Sequence, residues 1–396
     1  MSDAINIILL LASTIMVGYA SLVIFRRTNI PDVVILLLFG LFLNYSGFVN
    51  TELFRSVAPI LAPLTLLIVL LDSGLGMEMR HVLGSFPRSI LLGVLGLALS
   101  MIAAAFIGTM VMGLDLKMSL LMGSIFGGTC SVTVITILKG VNMGEEVKSL
   151  LSLESVFNDS LIILSTVAIL GIIVPFTSAG SPILSIVFSY VVGIVLGYVF
   201  GAVWLIVLNR FRGIQFDYML TVAVAMLVYV MSEQVFGAGS AAVAVLFFGL
   251  TLGNSESLSR RIKRRYVLSP KIKEFHSEIT FFVRTFLFVY LGLVASIQAR
   301  YLIFGVALSI ALIVARVWAV RLALHRKVMM DEELNVVKIM VPKGLVAAAL
   351  TQLPVAYGLP GADIIQNVAF VVIFSTTVFA AIGAQVLSRG SRKYLE

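Results

Sequence analysis

"SLESVFNDSLIILS", residues 152–165, sets Glu154, Asn158 and Asp159 inside a long apolar run with no cation in the same stretch. Two carboxyl groups there make sense only if their surroundings are known. Composition supplies them. Of 396 residues 60% are apolar and 12% charged, with mean hydropathy +1.09. Soluble domains are about half apolar and a quarter charged. The chain therefore reads as an all-α polytopic membrane protein, and the acids of 152–165 lie at membrane depth.

Working outward, apolar runs bounded by charged or Gly/Pro-rich loops predict about thirteen spans. Their limits are 4–25, 31–49, 57–76, 89–113, 117–138, 149–174, 183–209, 217–236, 238–253, 275–298, 301–322, 336–356 and 364–387. Only "FGAGSAA" divides the eighth from the ninth. The first run has no Lys or Arg before it and Arg26-Arg27 after it, the reverse of a signal peptide, so a retained first span is expected.

Charge tests the count. Loops after odd-numbered spans, with the C-terminal tail, hold 21 of the 28 Lys and Arg residues, including seven between Arg260 and Lys273. The opposite side holds Arg55, Lys117 and Arg300. One wrong span would scramble this sorting, so the asymmetry predicts an N-terminus outside and a C-terminus in the cytoplasm. The net charge of +8 then needs no nucleic acid, only the anionic inner leaflet. "RRIKRRYVLSPKIK", 260–273, reads as a solvated cytoplasmic loop, and the tail after about Leu387 is too short for an appended domain. Four cations remain within spans: Arg284, Arg316, Lys338 and Lys343.

Burying an ionised carboxylate in hydrocarbon costs several kcal/mol unless it is paired, hydrated or protonated. Helical spacing puts Ser155 under Asp159 and Glu154 under Asn158, one broad polar stripe that must face protein or water. Desolvation favours the neutral form of a carboxylate, so such a group holds a proton more readily than one in water. Ionised, it attracts a cation. The two states exclude each other, and competition of a proton with a metal ion at one carboxylate is the minimum machinery of an exchanger. Asp159 and the Ser155 hydroxyl offer the oxygen ligands that hard monovalent cations want.

The fifth span, "LLMGSIFGGTCSVTVITILKG", is weak at its centre, where Gly127-Gly128 meet Thr129, Ser131 and Thr133. The twelfth contains "MVPKGLVAAAL", with Pro342 and Gly344 bracketing Lys343. Breaks at membrane depth survive only where a cavity or a neighbour satisfies the freed backbone. The two spans are seven apart, so an inverted repeat of spans one to six against eight to thirteen would superimpose and cross them. Arg284 in the tenth span needs an acid, and an Arg284–Glu154 pair is expected. Lys343 is expected to offset half-helix C-terminal ends.

These residues resemble the monovalent cation–proton antiporters of the NhaP type. "ESVFND" (154–159) is specific to that pattern, supported by "GGT" (127–129), the cationic tenth span around Arg284 and "VPKGLVAAAL" (341–350). The resemblance covers nearly the whole chain. It implies a thirteen-helix homodimer in the cell membrane, with 117–174 and 275–387 mainly an ion-carrying core and 1–76 and 183–253 mainly scaffold and dimerisation surface. Access would alternate by an elevator-like movement. Asp159 would bind the cation or the proton, with Glu154, Ser155 and the Thr129 carbonyl completing a sodium site, Asn158 beside them, and Arg284, Lys343, Cys130 and Ser131 in support. Asn-Asp rather than Asp-Asp looks like the electroneutral branch. No cofactor is implied beyond the transported Na+ or Li+ and H+. Many relatives carry Thr-Asp-Pro where this chain has Thr129-Cys130-Ser131, and usually Pro-Arg-Gly where it has Pro342-Lys343-Gly344.

Na+/H+ antiport is thus the expected activity, with K+/H+ antiport on the same fold as the alternative. A cation channel would conduct without proton coupling. An intramembrane enzyme is disfavoured, since no His-Glu-x-x-His or nucleophile elbow occurs and the histidines, His81, His276 and His325, sit in or near loops.

Overall fold

A computed structural model describes residues 2–28, 30–47, 51–77, 87–139, 144–174, 182–210, 217–236, 240–256, 270–324 and 331–392. These form sixteen helices and no strand. In chain order they are α1 (Ser2–Thr28), α2 (Asp32–Ser46), α3 (Thr51–Gly76), α4 (Pro87–Met110), α5 (Leu116–Phe126), α6 (Ser131–Lys139), α7 (Glu145–Ile173) and α8 (Pro182–Arg210). There follow α9 (Asp217–Phe236), α10 (Ser240–Gly253), α11 (Pro270–Val294), α12 (Ala299–Ala323), α13 (Asp331–Ile339), α14 (Leu345–Leu350), α15 (Gln352–Ala356) and α16 (Ala362–Arg392).

Every expected span falls on one helix or one interrupted set. Among the described residues nine stretches are long and apolar enough to cross a bilayer, and four shorter apolar helices make up the rest. The fifth span is α5 and α6, separated at 127–130, and the twelfth is α13 to α15, opened at 340–344. The eighth and ninth are separate helices, α9 and α10. Of the basic run expected as a loop, 260–269 lies outside the described residues, and 270–273 is already helical, since α11 begins at Pro270. The last helix runs to Arg392, five residues past the expected start of the tail. His276 lies in a helix, 1% exposed, rather than near a loop; His81 and His325 fall outside the described residues.

The chain divides into two compact units, and the boundaries fall within or beside α3, α4, α7 and α11. The first comprises 1–62, 86–162 and 284–396. Within it α4 packs on α5 and α12, and α12 on α16. One apolar cluster joins Leu92, Val134, Leu151, Val320, Val337 and Ala380, drawn from six helices. The second unit comprises 63–85 and 163–283. Lipid-exposed helices gain nothing from hydrophobic attraction to one another, so close backbone contact has to hold them. Small residues provide it. Gly193, Gly197 and Gly201 form one stripe of α8 against α10, and a Cβ on Gly197 would stand 2.3 Å from the Ala244 carbonyl oxygen.

Gly197→Val is therefore expected to force α8 from α10 and lower stability by about 1–3 kcal/mol, the usual cost of overpacking. Gly96→Ala, where nothing lies within 4 Å, is the control and should be neutral. Thermal unfolding of the detergent-solubilised variants measures both.

Candidate functional site

Two broken spans meet in the first unit. At the first, α5 stops where Gly127-Gly128 end its hydrogen-bond ladder, and the chain runs unwound to Ser131, where α6 begins. The glycines allow α4 and α7 to close in. A Cβ on Gly127 would stand 2.4 Å from Leu97 Cδ1, and one on Gly128 would stand 2.4 Å from Ile162 Cδ1. At the second, Pro342 ends the ladder of α13 and Gly344 opens α14. The breaks satisfy each other's backbone: the Cys130 N–H donates to the Pro342 carbonyl at 2.9 Å. Helix α16 takes care of Lys343. Its N–H donates to Thr376 Oγ1 at 3.3 Å, and the Thr377 hydroxyl donates to its carbonyl at 3.2 Å. Unwound backbone thus persists at membrane depth because protein groups replace the lost helical bonds.

Lys343, 2% exposed, lays its ammonium on the Gly128 carbonyl at 2.8 Å. That carbonyl belongs to the C-terminal end of a half-helix, where partial negative charge collects and a cation is favoured. Cys130 fills the gap between the breaks. A Cβ on Gly344 would overlap its sulfur at 2.2 Å, so only glycine fits there, and Thr133 Oγ1 donates to Sγ at 3.4 Å.

Helix α7 carries the polar stripe to this crossing. Glu154, Ser155, Asn158 and Asp159 are all buried, Asp159 the least at 8%. Asp159 Oδ2 accepts from the Ser131 hydroxyl at 2.6 Å, which puts the carboxylate against the start of α6. The Asn158 amide donates to Glu154 Oε1 at 2.9 Å and to Thr129 Oγ1 at 3.2 Å, tying one helical turn to the break. The Ser155 hydroxyl donates to the Ser152 carbonyl at 3.0 Å, which leaves its oxygen lone pairs available. Asp159, Asn158, Thr129, Ser131, Cys130 and Lys343 therefore come together at one place.

Arg284 does not. It pairs with Asp32 of α2 at 2.7 Å instead of with Glu154. The partner of Glu154 is Arg316 of α12. Its two terminal nitrogens grip both carboxylate oxygens at 2.6 and 2.8 Å, and its Nε donates to the Val337 carbonyl at 3.1 Å. The Arg316–Glu154 pairing has a physical reason. The guanidinium is a planar fork that fits a carboxylate two-for-two, and Arg316 presents it where both oxygens are reachable while α13 takes the third donor. Asp32, in the first turn of α2, gives Arg284 its own acid.

Removing one member of a buried pair strands the other charge, at a cost of about 3–5 kcal/mol. Arg316→Met should therefore be strongly destabilised. Arg316→Met combined with Glu154→Gln should recover part of the loss, because no charge is left alone, and Arg284→Met should leave the Glu154 site intact. Unfolding temperatures of the three variants test this.

The architecture recurs among solved structures. The sodium proton antiporter MjNhaP1 from Methanocaldococcus jannaschii, determined at pH 8, superimposes with a TM-score of 0.78 at 25% identity, covering 98% of this chain and 99% of that one. Among curated relatives, the probable Na(+)/H(+) antiporter 2 of the same organism is 28% identical over 279 residues, or 69% of this chain. The K(+)/H(+) antiporter NhaP of Alkalimonas amylolytica is 24% identical over 390 residues, or 95% of this chain. Each match spans 65% of that relative's own length. The family described as sodium/hydrogen exchanger, transmembrane, matches residues 11–389, and with the broken spans and their carboxylate already in view the chain belongs to that family.

Proposed function

We propose that the chain is a secondary transporter that exchanges Na+ or Li+ for H+ by competition of cation and proton at Asp159. The observation that carries the reading is the contact of Asp159 with the break between α5 and α6, 2.6 Å from Ser131. A carboxylate held there can be neutralised by a proton or by a metal ion, and each ligand displaces the other. Thr129 and Ser155 supply further oxygens. Glu154 has both its oxygens engaged by Arg316, so its part is to hold Asn158 and the stripe in register. With one carboxylate as carrier, one cation is exchanged per proton and the cycle is electroneutral.

K+/H+ exchange is the second reading, favoured by relatives that carry that name, such as the NhaP of Alkalimonas amylolytica. The same oxygens serve either ion. The proposal extends to a homodimer in the cell membrane, N-terminus outside and C-terminus cytoplasmic, with 117–174 and 275–387 mainly as the moving core and 1–76 and 183–253 mainly as scaffold. Alternating access would come from elevator-like displacement of that core. Strong asymmetry of Lys and Arg between alternate loops supports the orientation.

Reconstituted in proteoliposomes, the protein is expected to alkalinise the acidic compartment when Na+ is added, and Asp159→Asn to abolish it. Robust exchange by Asp159→Asn would remove Asp159 from the carrier role. Relative affinities for Na+, Li+ and K+ in the same assay choose between the two readings.

Proton and cation compete for one carboxylate, so lowering the pH fills the site with protons. The apparent KM for the cation is expected to rise as pH falls, with the maximal rate at saturating cation less affected. A KM that stays flat from acidic to alkaline pH would contradict the mechanism.

A further inference from the structure

We propose that Ser131 is itself a ligand of the transported cation, an oxygen that the usual proline at this position of the family pattern does not have. The inference rests on the exchange reading above and deepens it. Ser131 is the first residue of α6, at the end of the unwound segment. Its hydroxyl meets Asp159 Oδ2 at 2.6 Å, the short range of an O–H donating to an ionised carboxylate. A proline ring offers no such donor.

A hydroxyl has one hydrogen and two lone pairs. In the contact seen here the hydrogen points at Asp159 and meets its negative charge. When a cation arrives at Oδ2, it sits beside Ser131 Oγ as well. The hydrogen turns away and a lone pair faces the ion. One side chain thereby acts as donor in the empty state and as ligand in the loaded state, without movement of the backbone. The neighbouring hydroxyls are arranged differently. Thr129 Oγ1 is occupied by the Asn158 amide at 3.2 Å, and the Ser155 hydroxyl is anchored to its own helix at 3.0 Å. Ser131 is the hydroxyl already in contact with the carrier carboxylate.

The test compares Ser131→Ala, Ser131→Pro and Ser131→Thr with the parent protein. In proteoliposomes at fixed pH, the Ala and Pro variants are expected to raise the KM for Na+ and Li+ on the order of tenfold, equivalent to the loss of one contact to an ion. Their kcat should change little, and Ser131→Thr, which keeps the hydroxyl, should stay near the parent. A purely structural role at the start of α6 would instead lower kcat or folded yield without moving KM, and that result overturns the proposal. So does an unchanged KM in Ser131→Ala. Calorimetric titration of the solubilised protein with NaCl separates this claim from the exchange reading. Weaker Na+ binding by Ser131→Ala supports the ligand assignment even where no proton is exchanged, and equal binding refutes it even where exchange is intact.

Discussion

The bidentate contact between Arg316 and Glu154 underlies everything else at the crossing. Both groups are almost wholly buried, and neither charge could remain there alone. Their geometry does more than cancel charge. Glu154 Oε1 also receives the Asn158 amide, and that amide reaches Thr129 in the break. Arg316 Nε reaches the Val337 carbonyl of α13, the helix that leads into the second break. One ion pair thus ties together α12, α7 and both interrupted spans. Asp159 lies one residue beyond Asn158 on the same helix, so its position against Ser131 is set by this scaffold.

Broken helices follow the same rule of satisfaction. Each interruption leaves polar backbone where water is scarce, and each is completed by protein: Cys130 by Pro342, Lys343 by Thr376 and Thr377, Gly128 by the Lys343 ammonium. The glycines are needed because the pieces approach too closely for side chains. Gly344 is pressed on Cys130 and Gly128 on Ile162, so the sulfur and the isoleucine occupy the volume a Cβ would require. Packing and hydrogen bonding therefore set the shape of the site together.

Much of this was legible in the residues. Hydropathy and the sorting of Lys and Arg gave thirteen spans, because membrane thickness imposes a length on each and topology imposes an alternation. Gly-Gly and Pro-x-Gly marked the breaks, because those residues weaken a helix wherever they occur. The partner of Glu154 was misread. Periodicity reports which face of a helix a residue occupies and says nothing of the helix it faces. Depth held the missing signal. Glu154 lies five residues into a span that starts on the loop side rich in cations, Arg316 lies six residues from the end of a span that finishes on that side, and Arg284 lies nine residues in. Matching depth would have favoured Arg316. The contact of Ser131 with Asp159 had no such marker, since a serine after a break reads equally well as a helix start.

The two departures from the family pattern can be understood as one balance. Within this crossing the Glu154–Arg316 pair is neutral as a unit, and Asp159 and Lys343 add one acid and one base to it. Restoring an aspartate at Cys130 would set a third acid between the breaks, where the Gly344 backbone already lies against the side chain. The thiol avoids that. A guanidinium at position 343 would need two acceptors in its own plane to use its fork, whereas the ammonium needs a single carbonyl and finds it at Gly128. A thiol and a compact ammonium therefore belong together, each suited to the close approach of the two breaks.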